Sequence, residues 1–230
     1  MKNAKLIYFI FLLSIIMGQK AAAQDWANLN KYQKENAVLE KPISEQKRTV
    51  FMGDSITEFW SIINSDFFSG KPYINRGISG QTTPQMLIRF RADVIALKPS
   101  AVVILAGIND IAGNTGPATL DMITNNIFSM IDLAKAHNIK VILCSVLPAS
   151  DFPWSPNQNP ATKVMALNSL LSSYAVANGI PFVDYYSAMA NDQNGLPKTF
   201  SDDGVHPNKV GYEIMAPIVE KVISVTLTKS

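Results

Sequence analysis

Two histidines and one cysteine are all that these 230 residues contain, and that scarcity narrows the chemistry before any motif is read. A single thiol cannot close an intramolecular disulfide. Cys144 lies in Lys140-Val-Ile-Leu-Cys-Ser-Val, an apolar pattern that suits a buried strand thiol better than a reactive one. There is no His-x-x-x-His and no cysteine pair, so a metal site lacks its ligands and none is expected. Basic runs are missing as well. The formal charge is +2, and it falls to −1 if Lys2, Lys5 and Lys20 are removed with a leader, so nothing here forms an electrostatic footprint for nucleic acid.

The apolar run from Leu6 to Met17 is too short to span a bilayer, which takes roughly 20 residues. Lys2 and Lys5 precede it and Ala21-Ala22-Ala23 follow it, the pattern of a secretory signal peptide with its small-residue cleavage site. Residues 1–23 are therefore expected to be a signal peptide and 24–230 the mature domain, exported to the periplasm or beyond the cell. No cysteine stands near the cleavage site to take a lipid. Hydrophobic content of 47% over this length suits one well-packed domain.

Apolar runs alternate with helical patterns along the mature chain, the signature of a parallel sheet covered by helices on both faces. The runs predict strands at Thr49 to Met52, Pro72 to Asn75, Ala101 to Ala106, Lys140 to Ser145 and Pro181 to Asp184. Helices are expected at about Asp25 to Glu40, Pro84 to Leu97, Pro117 to His137 and Ala161 to Asn178. A last one should begin near Pro207, a good first-turn residue, and run to about Val225. Within it Val210, Ile214, Ile218 and Val222 share a face, and Pro217 should kink or loosen it.

In such sheets ligands bind beyond the carboxyl ends of the strands. Gly53-Asp54-Ser55 follows the first predicted strand, Gly80 the second and Asn109 the third. Trp154 follows the fourth, and Asp203-Gly204-Val205-His206 the fifth. A serine hydroxyl becomes a nucleophile when a base takes its proton, and that base needs a carboxylate to fix its tautomer. Ser55, His206 and Asp203 supply these three roles, with Gly204 able to bend the carboxylate back to the ring. Asp202 is the competing carboxylate, and the sequence separates the two weakly. Acyl transfer also needs donors aimed at the developing oxyanion. A glycine lets a backbone N–H approach, and an asparagine amide adds a donor, so Gly80 and Asn109 are candidates. Each residue alone has a plainer reading: serine as a helix cap, glycine and asparagine as turn residues. Their arrival at successive strand ends is what argues for a site. His137 reads as a helix-end residue and Trp60 as core beneath Ser55.

These blocks resemble the SGNH (GDSL-type) hydrolase superfamily, an acylhydrolase and esterase group, over nearly the whole mature chain from Val50 to Val219. The block around Ser55 is similar to that of the platelet-activating-factor acetylhydrolase catalytic subunits, with Ile56 in place of the usual leucine. The resemblance implies a flavodoxin-like three-layer α/β/α sandwich with five parallel strands in the order 2-1-3-4-5. It implies Ser55 as nucleophile, Asp203 and His206 as its acid–base pair, Ser55, Gly80 and Asn109 as the oxyanion hole, and no cofactor. The expected substrate is a small-molecule or carbohydrate ester with a short acyl group, acetate foremost, because no long apolar lid is present. Trp154, in Phe-Pro-Trp-Ser-Pro, either stacks on a sugar or merely packs over its loop. The alternatives are a lysophospholipase or thioesterase acting on longer chains, and a non-catalytic carbohydrate-binding domain on the same fold.

Overall fold

The computed structural model describes residues 25–42 and 46–228, so the expected signal peptide lies outside the described residues. Five parallel strands form the centre: β1 (Thr49–Gly53), β2 (Tyr73–Gly77), β3 (Ala101–Leu105), β4 (Lys140–Cys144) and β5 (Phe182–Val183), in the order β2-β1-β3-β4-β5. The expected order and fold class hold. Residues of β1 and β3 are buried throughout, as both faces of a covered parallel sheet require. The register puts Gly53 beside both Gly77 and Leu105, so the carboxyl ends of β2, β1 and β3 finish level.

Seven longer or shorter α-helices accompany the strands among the described residues beyond α1 (Gln33–Val38). They are α2 (Ser55–Ile63), α3 (Thr83–Asp93), α4 (Ile108–Ile111), α5 (Leu120–Ala136), α6 (Pro160–Ala177), α7 (Tyr185–Met189) and α8 (Lys209–Thr228). Helices α2 and α8 touch one another, while α3, α5 and α6 pack side by side as a second group. The chain leaves β1 to build β2 on one side and then crosses to β3 on the other. That reversal opens a crevice between the ends of β1 and β3, where such folds bind ligands. Among the described residues no helix is long and apolar enough to cross a membrane.

Three expectations are corrected. The segment from Asp25 to Glu40 is helical only at Gln33–Val38. Ahead of it the Asp25 carboxylate takes the N–H groups of Leu29 and Asn30, and the carbonyls of Trp26 and Ala27 accept from Gln85 and Gln81. With its backbone groups diverted in this way, the segment straps across α3 instead of coiling. The helix expected up to Leu97 ends at Asp93, and a 3₁₀ turn, Ile95–Leu97, completes the run.

Finally, α8 starts at Lys209, because Pro207 pairs with Ser201 in an antiparallel bridge and Asn208 Oδ1 accepts from the Gly211 N–H. Its buried stripe is Tyr212, Met215, Val219 and Ile223, one residue round from the predicted face. Ile218 and Val222 of that predicted face line an open apolar groove of about 780 Å³ with Ile180 and Phe182. The helix runs continuously through Pro217.

The floor under the crevice is aromatic. Trp60 is buried and stacks between Phe67 (4.4 Å) and Tyr212 (5.3 Å). The Tyr212 hydroxyl donates to the Ile56 carbonyl at 2.7 Å, so α8 holds the first turn of α2 from below.

Candidate active site

The sharp turn from β1 into α2 is made possible by Gly53. A Cβ there would stand 2.1 Å from Thr57 Oγ1 and 2.9 Å from the Leu105 carbonyl oxygen, so any side chain would force the helix off the strand end. Asp54 caps α2 by accepting the Ile56 N–H at 2.9 Å, and Ser55 becomes the first helical residue. Its Oγ lies 2.9 Å from His206 Nε2. Ser55 is thus at a helix N-terminus, where the backbone N–H groups favour negative charge.

His206 is held by Asp203 in two ways. Oδ2 of Asp203 meets His206 Nδ1 at 2.6 Å. Oδ1 accepts the backbone N–H of His206 at 2.8 Å, that of Val205 at 2.9 Å, and the Ser201 hydroxyl at 3.1 Å. The turn between them passes through Gly204, whose N–H bonds back to Ser201 Oγ. Burial raises the Asp203 pKa, but the His206 ring bond and the backbone N–H groups outweigh it and hold the carboxyl at about 2. It is an anion across the whole neutral range. Asp202 is exposed.

Gly80 and Asn109 face this pair from the other side of the crevice. Gly80 has φ +76°, a left-handed conformation that favours glycine. Its surroundings are open, so conformation and not crowding calls for glycine here. The loop around it is tied at several points: Ser79 N–H and Oγ donate to Glu58 Oε2, and Arg89 donates to the Gln81 side chain. Arg89, fully buried, also donates to Asp93 and to the Gly53 carbonyl, linking this loop to the turn that carries Ser55. The neighbouring Thr83 gives its N–H and hydroxyl to Asp110. Asn109, buried on α4, donates from Nδ2 to the Gln81 carbonyl at 3.0 Å. A primary amide carries two N–H donors, and Asn109 also lines the cleft.

One cleft of about 290 Å³ gathers Ser55, Gly80, Asn109, Trp154 and His206. Asp203 stands behind His206. Phe59, Ser79 and Asn114 complete the lining. Of these Phe59 carried a signal, since it follows Ser55 by one helical turn and so shares its face. The rings of Phe59 and Trp154 lie 5.4 and 5.9 Å from that of His206. Trp154 stacks on buried Phe152 and remains 45% exposed. His137 lies elsewhere, its Nδ1 against the Leu133 carbonyl at the end of α5, and Cys144 is buried in β4. The larger apolar groove beside α8 is lined by no histidine, carboxylate or cysteine that could pair with its Lys221 or Thr226.

Asp54 makes a separate prediction. Its Oδ2 is buried without a partner, and burial pushes its pKa up to about 7 against the Ile56 N–H bond and His206. The unfolded chain releases this proton near pH 4. Between about pH 4 and 7 the folded state binds more protons than the unfolded one, so stability falls as pH rises through that window. Asp54→Asn keeps the cap and cannot ionise. Its Tm relative to wild type should therefore rise from pH 5 to pH 8; parallel Tm–pH curves for the two proteins would refute the assignment.

The chain belongs to the GDSL-like lipase/acylhydrolase family, a group of carboxylic ester hydrolases, whose model matches residues 51–214. A crystal structure of a Bacteroides fragilis NCTC 9343 protein described as an acylhydrolase is 50% identical with a TM-score of 0.87, covering 89% of this chain and 99% of that one. Two curated relatives match shorter stretches. The uncharacterized lipoprotein YqeF of Bacillus subtilis (strain 168) is 35% identical over 78 residues, 33% of this chain and 32% of its own length. An acetylxylan esterase of Xylanibacter ruminicola is 30% identical over 84 residues, 36% of this chain and 16% of its own length. The chain thus spans a third or less of these curated relatives.

Proposed function

We propose that this protein is an exported serine esterase that removes short acyl groups, acetyl foremost, from a carbohydrate. The observation that carries the reading is the Ser55 Oγ to His206 Nε2 contact of 2.9 Å, continued from Nδ1 to Asp203 at 2.6 Å, opposite two candidate N–H donors. His206 Nε2 takes the Ser55 proton as Oγ attacks the ester carbonyl. The carbonyl electrons move onto oxygen, where the N–H groups of Ser55 and Gly80 and the Asn109 amide receive the charge. Collapse breaks the bond to the alcohol, which leaves with the proton from His206. Water, deprotonated by the same nitrogen, then attacks the acyl-enzyme, releasing the acid and restoring Ser55. Asp203 stays ionised and stabilises the imidazolium at each stage.

Acyl size follows from the walls of the cleft. The cleft holds only about 290 Å³, and the side chains with a large apolar face among its lining residues are Phe59 and Trp154. A space of that size suits an acetyl group, whereas a fatty chain would extend beyond it into water. The exposed Trp154 face offers a stacking surface for a sugar ring, and the acetylxylan esterase among the relatives supports that substrate class. Export rests on the pattern of residues 1–23 and is supported by the lipoprotein relative.

Substrate comparison tests this reading. The mature domain should hydrolyse acetyl aryl esters faster than octanoyl ones. Trp154→Ala should lower kcat/KM on an acetylated xylo-oligosaccharide several-fold more than on the aryl ester, since one stacking face contributes on the order of 1 kcal/mol. A preference for octanoyl esters would assign the protein to longer-chain lipids or thioesters. No turnover of any ester would leave a carbohydrate-binding domain as the reading.

A further inference from the structure

We propose that Asn114 is a positioning residue that sets the direction in which Asn109 presents its N–H to the cleft. The inference rests on the oxyanion role given above to Asn109 and Gly80. A primary amide has a donor end and an acceptor end, and turning it over exchanges them. An oxyanion donor must therefore be prevented from turning, because its reversed form would place a carbonyl oxygen against the developing charge.

Three partners surround Asn114 and leave it one orientation. Its Nδ2 donates to Asn109 Oδ1 at 2.9 Å and to the Gly80 carbonyl at 3.2 Å. Its Oδ1 accepts from the Trp154 indole at 3.3 Å. An indole N–H can only donate and a backbone carbonyl can only accept, so reversal of Asn114 would set donor against donor and acceptor against acceptor. The orientation passes to Asn109. With Oδ1 engaged by Asn114 and one N–H engaged by the Gln81 carbonyl, the remaining N–H of Asn109 is aimed by both neighbours. The Asn114 backbone N–H also donates to the Asn109 carbonyl at 3.0 Å, closing the turn that joins them. One side chain thereby touches both candidate donors, the loop of Gly80 and the amide of Asn109, and stands between them and the aromatic rim.

Asn114 is itself exposed, so a purely structural role would contribute little to stability and nothing specific to turnover. The test is a double-mutant cycle on an acetyl aryl ester, with kcat, KM and Tm measured for Asn109→Ala, Asn114→Ala, Asn114→Asp and the Asn109/Asn114 double alanine variant. Asn114→Asp keeps the shape and the acceptor for Trp154 but loses the donor, which protects the test if the alanine variant folds poorly. Asn109→Ala should lose about 10²–10³ in kcat. Each Asn114 variant should lose about tenfold in kcat with KM nearly unchanged, the scale of a misplaced group at the reacting centre. In the Asn109→Ala background the Asn114→Ala loss should shrink to about twofold or less, because the residue it aims is gone. Full tenfold losses in both backgrounds, unchanged kcat in both Asn114 variants, or an effect confined to KM would each overturn the proposal while leaving the oxyanion reading intact. Unchanged kcat in Asn109→Ala would remove that reading and this proposal together.

Discussion

Ser55→Ala is expected to lower kcat for ester hydrolysis on the order of 10⁶-fold while the protein stays folded. The Oγ removed is the atom that forms the acyl-enzyme, and the rest of the turn does not depend on it. Asp54 caps α2 through Ile56, and Tyr212 holds the same turn from α8, so neither support is lost. Alanine is also a good helix residue at that position. What remains should be the modest acceleration given by binding and oriented donors alone. Two measurements check it: steady-state turnover of an acetyl aryl ester, and a mass shift of the intact protein after brief exposure to a slowly deacylating ester. Wild type should gain one acyl group and Ser55→Ala none. Turnover near wild type in a preparation free of other esterases would end the serine mechanism.

How much of this site could be read from the chain depends on the range over which its residues interact. Strand-end motifs are local: a short apolar run followed by Gly-Asp-Ser or by Gly-Ile-Asn announces both the strand and the turn. The position of β2 beside β1, by contrast, came from resemblance, since alternation of runs sets the class of sheet and leaves the order open. Helix α8 carries two adjacent apolar stripes, and a period near four cannot decide which meets the sheet; the packing of Tyr212 against Trp60 decides it. The N-terminal strap was unreadable for a different reason. Its carbonyls bond to Gln81 and Gln85, more than fifty residues away, and polar side chains meeting polar backbone leave no periodic trace. Asn114 belongs to the same class. Its three partners come from the ends of three strands and meet only once the sheet has formed.

The second large effect concerns Asp203. Asp203→Asn should depress kcat by about 10⁴, and the geometry says why the amide should fail. In the wild type, Oδ1 already accepts two backbone N–H groups and the Ser201 hydroxyl, while Oδ2 faces His206 Nδ1. An asparagine must keep its oxygen on the side of those donors. Its NH₂ then falls opposite Nδ1 and donates to it. The ring is driven into the tautomer protonated on Nε2, which cannot take the proton of Ser55. Asp202 is exposed and has no such geometry, so Asp202→Asn should retain most of the wild-type rate. The pH dependence gives a second check. Because the carboxylate of wild type is held at about 2, its support of His206 should persist unchanged through the acid range where esters can still be assayed. In Asp203→Asn the rate should instead recover towards alkaline pH, where hydroxide can replace the disabled base. A normal kcat in Asp203→Asn together with a collapsed Asp202→Asn would transfer the role to the neighbouring carboxylate.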